Sequence, residues 1–194
     1  MKKDIILAGV GGQGILTIAT IIGTAAVEKG LNLKQAEVHG MSQRGGDVQS
    51  HLRLSDKPIY SDLIPEGKCD IIISVEPMES LRYLPFLSKD GILITNTKPF
   101  INIPNYPADE KLAKMIANVK NHIAIDASSI AKDLGSTRSM NMVMLGAAVN
   151  YLDMSMEDFE NAVKAVFGRK GEKIVEGNIK ALHAGRDNAE NNAK

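Results

Sequence analysis

Two glycine-rich segments hold most of the residues whose types and spacing point to chemistry. The first is Gly9-Val10-Gly11-Gly12-Gln13-Gly14, a G-x-G-x-x-G run that follows an apolar stretch and opens an amphipathic one. Glycines in this pattern allow a tight turn and close backbone approach. A helix that starts there presents unpaired N–H groups and a positive dipole end to an anion. The second segment is His39-Gly40-Met41-Ser42-Gln43-Arg44-Gly45-Gly46-Asp47, which sets three glycines, an imidazole and a guanidinium between two expected strands. A hairpin connection needs only a few residues and no arginine. The surplus points to ligand contact, with Arg44 offering a fork suited to carboxylate or phosphate. The bland alternatives are glycines that only pack helix on sheet, and a long loop with a solvated arginine. The candidate cofactor- or anion-binding set is therefore Gly9, Gly11, Gly12, Gln13 and Gly14 with Ser42, Gln43 and Arg44. No catalytic or metal-ligating residue is assigned.

The remaining polar residues carry less. Glu37, at the end of the expected second strand, is placed to act as the ribose-binding acid of a dinucleotide fold, which keeps an NAD(P)-dependent oxidoreductase open as an alternative. A non-catalytic nucleotide-sensing or assembly module is another. No G-x-x-x-x-G-K-[ST] run occurs, against a P-loop hydrolase. Ser74, Glu76, Thr95, Asn96, Asp126 and Ser128 fall near the carboxyl ends of expected strands and read singly as loop or cap residues. His39 and His51 have no carboxylate partner visible in the sequence and read as structural or surface groups. Cys69 is the only cysteine, so the chain cannot alone supply the thiolates of an iron–sulfur cluster or a thiolate zinc site.

The elements that must position these residues follow from periodicity. Lys3–Ala8 reads as a buried strand and Gly12–Lys29 as a helix closed by Gly30. Strands are expected at Leu33–Val38 and Val48–Leu54. The nine residues from His39 to Asp47 are too few for a helical crossover, which predicts an antiparallel pairing. Further strands fit Asp70–Val75, Gly91–Thr95 and His122–Asp126, and helices fit Met78–Leu84, Glu110–Lys120 and Ser128–Leu134. The stretch Lys98–Pro107 is broken by prolines. Helices then fill Thr137–Leu152, Ser155–Phe167 and Glu172–Ala184, with Ser155 and Asp158 forming a capping box. Thr137–Leu152 is apolar nearly all round, so it is buried in the core or between subunits. The fold class is α/β: a Rossmann-like three-layer fold with a mixed, mostly parallel sheet and a helical C-terminal third. A single domain spans 1–184, followed by a polar, frayed tail at 185–194.

Composition narrows the setting. The chain has 194 residues, 44% hydrophobic and 24% charged, in the range of ordinary globular proteins. Lys+Arg and Asp+Glu are both 23, which gives no bulk attraction to nucleic acid or anionic membrane. The apolar runs are too short for a membrane span, and the apolar N-terminal stretch passes into the glycine loop without a cleavage site. A lone cysteine suits a reducing, cytoplasmic location.

Gly-Val-Gly-Gly-Gln-Gly-Ile-Leu near the N-terminus, followed by Glu-Val-His-Gly-Met-Ser-Gln-Arg-Gly-Gly, resembles the gamma-type domain of the 2-oxoacid:ferredoxin oxidoreductase family. Ile-Pro-Glu-Gly at 64–67 and Glu-Pro at 76–77 fit the same pattern, and the likeness runs from Lys3 to about Ala184. The Met-Ser-Gln-Arg-Gly-Gly version is most similar to the small (beta) subunits of the indolepyruvate branch. The resemblance implies a share in coenzyme A-dependent oxidative decarboxylation of a 2-oxoacid, giving acyl-CoA, carbon dioxide and reduced ferredoxin. It implies coenzyme A as co-substrate near the candidate set. Thiamine diphosphate, Mg and iron–sulfur clusters would belong to a large (alpha) catalytic partner, and ferredoxin would be reached through the complex. Gly46-Asp47-Val48 lacks the second glycine of a thiamine diphosphate motif, in keeping with that division.

Overall fold

A computed structural model describes residues 1–39 and 45–192. Among the described residues six strands form one sheet: β1 (Lys2–Val10), β2 (Asn32–His39), β3 (Asp47–Ser55), β4 (Cys69–Ser74), β5 (Leu87–Asn96) and β6 (His122–Ile125), in the order β2-β3-β1-β4-β5-β6. β1, β4, β5 and β6 run parallel, and β3 runs antiparallel to both β1 and β2. The sheet is thus mixed and mostly parallel, with the antiparallel β2–β3 pair that the short connection requires.

β1 alternates between two cores. Ile5 and Leu7 face a cluster formed with α1 (Ile15–Glu28), α4 (Ala127–Asp133), α5 (Met140–Ala148), α6 (Met156–Phe167) and α7 (Glu172–Asn192). Ile6 and Ala8 face a smaller cluster that includes Tyr83, which ends α2 (Pro77–Arg82), and Ile116 of α3 (Asp109–Ala117). A strand covered on both faces must be apolar at every position, which is why Ile5–Val10 reads as a continuous run. The helices above and below the sheet supply the other two layers. Among the described residues no helix is long and apolar enough to cross a membrane.

The segment expected as one helix over Thr137–Leu152 is α5 between two short 3-10 turns, Thr137–Ser139 and Val149–Tyr151. α5 is buried from Asn141 to Ala148 and belongs to the core of this chain. Its partner is α7, which corrects the expectation of a polar, frayed tail from Gly185. α7 continues to Asn192, with Gly185 and Ala189 buried. Gly185 stands where two helix backbones meet. A Cβ there would lie 1.9 Å from the Val143 carbonyl oxygen, and one at Gly146 would lie 1.9 Å from that of Leu182. β5 begins at Leu87 and not at Gly91, because Leu87 already pairs with Cys69 ahead of a register step between Cys69 and Ile71. The Ser155–Asp158 capping box is present at the start of α6.

Opposite α5, a polar clamp fixes the loop after β3. Asp4, 1% exposed, accepts from Arg53 at 2.7 and 3.1 Å, while the same guanidinium donates to the Ser61 and Leu63 carbonyls at 3.1 and 3.0 Å. Next to it His51 Nδ1 accepts from the Ile64 N–H at 3.0 Å, and its ring packs edge-on to Phe86. His51 is therefore a structural group. Burial, reinforced by Arg53, lowers its pKa from 6.5, and the ring is neutral at pH 7.

Two outcomes follow for stability. Gly185→Ala or Gly146→Ala drives a methyl into backbone that side-chain rotation cannot clear. Each should destabilise by about 3 kcal/mol or more in denaturant titration, near the top of the range for overpacking. For His51 the folded pKa is the lower one, so the unfolded chain takes up the proton first. Stability should fall as pH drops below about 6.5, and His51→Gln should flatten that part of a melting-temperature profile.

Candidate functional site

The carboxyl ends of the parallel strands border a cleft of about 350 Å³, whose walls include Gly12, Gln13, Lys98, Phe100, Arg138 and Asn141. Ligand crevices of open α/β sheets lie at this edge. The first glycine loop shapes one wall, and its members divide the work. Gly9 is packed: a Cβ there would meet Val75 Cγ2 at 2.3 Å. Gln13 curls back, its N–H donating to the Val10 carbonyl at 3.1 Å and its Oε1 accepting from the Val10 N–H at 2.8 Å. The Gly11 N–H donates to the Gly46 carbonyl at 2.8 Å, which joins the two glycine segments. Gly14, the N-cap of α1, sits at φ 81°, and a Cβ on it would lie 2.5 Å from Asn141 Nδ2, the group that donates to the Gly14 carbonyl at 3.2 Å. Gly12, at φ 98°, has no atom of the described residues within 4 Å of where a side chain would project.

The electrostatics favour an anion. Among the described residues no side chain caps the start of α1, and its first turn holds no acidic residue, so the positive end of its dipole favours an anion. Lys98, two residues beyond β5, and Arg138, in the turn before α5, add cationic side chains to the walls. Lys98 lies 3.4 Å from Asp126, whose carboxylate caps α4 by accepting from the Ser129 N–H at 2.9 Å. Beyond Arg138 a wider groove of about 700 Å³ continues past Lys170, Lys173 and Lys180. A hollow of about 490 Å³ at the opposite, amino end of the strands is lined by Asp70, Asp90 and Asp153 as well as Lys3, the wrong charge for a phosphate.

Ser42, Gln43 and Arg44 lie outside the described residues. The flanks of their loop are nevertheless tied to this edge, since Gly46 accepts from Gly11 and the Gly45 carbonyl accepts from Asn102 Nδ2 at 2.8 Å. Glu37 is on the wrong strand for a ribose. It pairs with Ser50, which pairs with Leu7, so β3 separates it from β1 by two strand spacings of roughly 4.8 Å each. Cys69 is fully buried, bonded to the Ile71 carbonyl, and its thiol is pushed up to about 12 by burial. It does not fit as a cluster ligand, and the described residues hold no group of three or more His, Cys, Asp or Glu placed for a metal. Sequence reasoning missed Lys98 and Arg138. The position of Lys98 just past a strand end was a usable signal, whereas Arg138 is far from the glycine loop in sequence and carried none.

Residues 4–188 match the family described as pyruvate ferredoxin/flavodoxin oxidoreductase. The chain belongs to this family. Among curated relatives, the indolepyruvate oxidoreductase subunit IorB of Archaeoglobus fulgidus is 39% identical, covering 97% of this chain and 96% of that one. The IorB subunit of Pyrococcus horikoshii is 36% identical over 95% of each. Among solved structures, the gamma subunit of a keto/oxoacid ferredoxin oxidoreductase from Geobacter sulfurreducens is 26% identical with a TM-score of 0.69, covering 97% of this chain and 99% of that one. The 2-oxoglutarate:ferredoxin oxidoreductase of Magnetococcus marinus, solved with 2-oxoglutarate, coenzyme A and succinyl-CoA, shares the fold. Its TM-score is 0.76 at 22% identity, over 98% of this chain and 31% of that one. This member of the family is a small, gamma-type oxidoreductase subunit, matched nearly end to end by subunits of that kind.

The two left-handed glycines leading into α1, Gly12 and Gly14, should respond differently to alanine. Gly14→Ala combines left-handed backbone strain of about 1–2 kcal/mol with the Asn141 contact, and should lower the melting temperature by several degrees. Gly12→Ala meets only backbone strain and places its methyl in the cleft, so anion binding should weaken more than its smaller stability loss explains. Equal stability losses with unchanged binding would remove Gly12 from the site.

Proposed function

We propose that this chain is the small (beta) subunit of an indolepyruvate:ferredoxin oxidoreductase and that its cleft holds coenzyme A. The observation that carries this reading is the end-to-end similarity to indolepyruvate oxidoreductase subunits, 39% identical over 97% of the chain. The geometry supports it. Coenzyme A is long and carries a pyrophosphate and a 3′-phosphate. The cleft joins an uncapped helix start to Lys98 and Arg138 and runs on along Lys170, Lys173 and Lys180. Gly12 and the first N–H groups of α1 would take the pyrophosphate. Gly9, Gly11, Gln13 and Gly14 would hold the loop in shape, and Ser42, Gln43 and Arg44 would contact the ligand from the second loop.

The remaining chemistry belongs to a large (alpha) subunit. Thiamine diphosphate with Mg would decarboxylate the aryl pyruvate there, and iron–sulfur clusters would pass the electrons to ferredoxin. This chain would deliver the coenzyme A thiol to the acyl group and close the site to water, yielding acyl-CoA. The free, reduced Cys69 suits a cytoplasmic complex.

Co-expression with a cysteine-rich, thiamine-binding partner tests the assignment. The pair should reduce an acceptor only when an aryl pyruvate and coenzyme A are both supplied. Lys98→Ala and Arg138→Ala should each raise KM for coenzyme A about tenfold, the loss of one charged hydrogen bond, with KM for the oxoacid unchanged. Arg44→Ala should lower turnover, and Arg44→Lys should rescue it poorly because an ammonium lacks the planar fork. Unchanged coenzyme A dependence in both Lys98 and Arg138 variants would take the ligand out of this cleft.

A further inference from the structure

One wall of the cleft is formed by a segment with little structure of its own. Residues 97–108 contain Pro99, Pro104 and Pro107 and form no regular element. Burial does not hold the segment, since Phe100, Ile101 and Ile103 are 44, 73 and 37% exposed. Side-chain hydrogen bonds hold it at defined points. Asn96 Nδ2 donates to the Val75 and Lys98 carbonyls at 3.2 and 3.3 Å, which fixes the exit from β5. Past that point two side chains hold it: Asn102, whose Nδ2 donates to the Gly45 carbonyl at 2.8 Å, and Glu76. The Glu76 side chain is fully buried and forms no ion pair with a Lys, Arg or His among the described residues. Its Oε2 accepts from the Glu79 N–H at 2.8 Å, capping α2, and its Oε1 accepts from the Phe100 N–H at 3.2 Å and from the Tyr106 hydroxyl.

A carboxylate buried without a cation costs several kcal/mol unless hydrogen bonds replace its water. α2 uses one oxygen, and a serine or aspartate of shorter reach would cap it as well. The second oxygen holds the segment at Phe100 and Tyr106, and between those points lie the exposed Ile101 and Ile103, on either side of the Asn102 tie. The Ser74 hydroxyl holds the Glu76 backbone, donating to its carbonyl at 2.6 Å, so the anchor is itself fixed to the end of β4. We propose that Glu76 is a positioning residue for coenzyme A: by latching residues 100 and 106 it sets Lys98 and Phe100 in place across the cleft from Arg138. This rests on the reading of the cleft as the coenzyme A site.

The test uses the assembled enzyme with Glu76→Gln and Tyr106→Phe, the second removing one hydroxyl at a residue outside the cleft. Amide hydrogen exchange over residues 98–106 and steady-state kinetics are measured together, with Lys98→Ala as the reference for the site. Both latch variants should exchange faster in that segment and raise KM for coenzyme A about tenfold, as expected for a lost charged hydrogen bond, with kcat at saturating coenzyme A and KM for the oxoacid retained. Unchanged exchange in both variants overturns the latch. Faster exchange with a normal coenzyme A KM, while Lys98→Ala raises it, overturns the positioning role. Faster exchange with a normal KM in Lys98→Ala as well leaves the latch standing and instead overturns the coenzyme A reading of the cleft.

Discussion

The hydrogen bond from the Gly11 N–H to the Gly46 carbonyl marks the constraint on which the site depends. It exists because β3 lies antiparallel between β2 and β1, pairing Asp47 with Val10 at the end where the glycine loop begins. A connection as short as that between His39 and Asp47 cannot cross over the sheet, so the chain had to return beside β1 in the opposite direction. In a doubly wound dinucleotide fold the neighbour of β1 would run parallel and bring an acid to the ribose. Here that position is filled by the closing end of a second glycine segment. The same G-x-G-x-x-G signature therefore sits in different surroundings from those of a dinucleotide fold.

Charge is separated along the sheet although the chain is neutral overall. Cations and an uncapped helix start collect at the carboxyl end of the strands, while Asp70, Asp90 and Asp153 line the hollow at the amino end. A short-range field of this kind is invisible in the net charge and is screened beyond about 8–10 Å in physiological salt. Such a field would act on an anion already in the cleft and contribute little to long-range attraction.

The parts of this arrangement that were legible in the sequence are those governed by neighbours along the chain. Buried runs such as Ile71-Ile72-Ile73, the Ser155–Asp158 capping box and the shortness of the β2–β3 connection each carry their own physical signal. What was not legible depends on distant contacts. Gly185 reads as a helix terminator until α5 is seen to need a partner without a Cβ at that point. Its polar neighbours in sequence hide the buried pair Gly185 and Ala189, four residues apart on one face of α7. Arg138 and Lys98 line one cleft only because α5 starts where β5 ends, and Glu76 reads as an ordinary cap although its second oxygen holds the segment from Phe100 to Tyr106.

The central claim is that coenzyme A lies at the carboxyl edge of this sheet, against the start of α1, when the chain is assembled with its large subunit. The most direct measurement is a structure of that complex frozen with coenzyme A. The account predicts pyrophosphate oxygens within hydrogen-bond distance of the first N–H groups of α1 and of Lys98 or Arg138, with the thiol directed toward the partner. Coenzyme A bound wholly within the large subunit, with this cleft facing solvent, would contradict it.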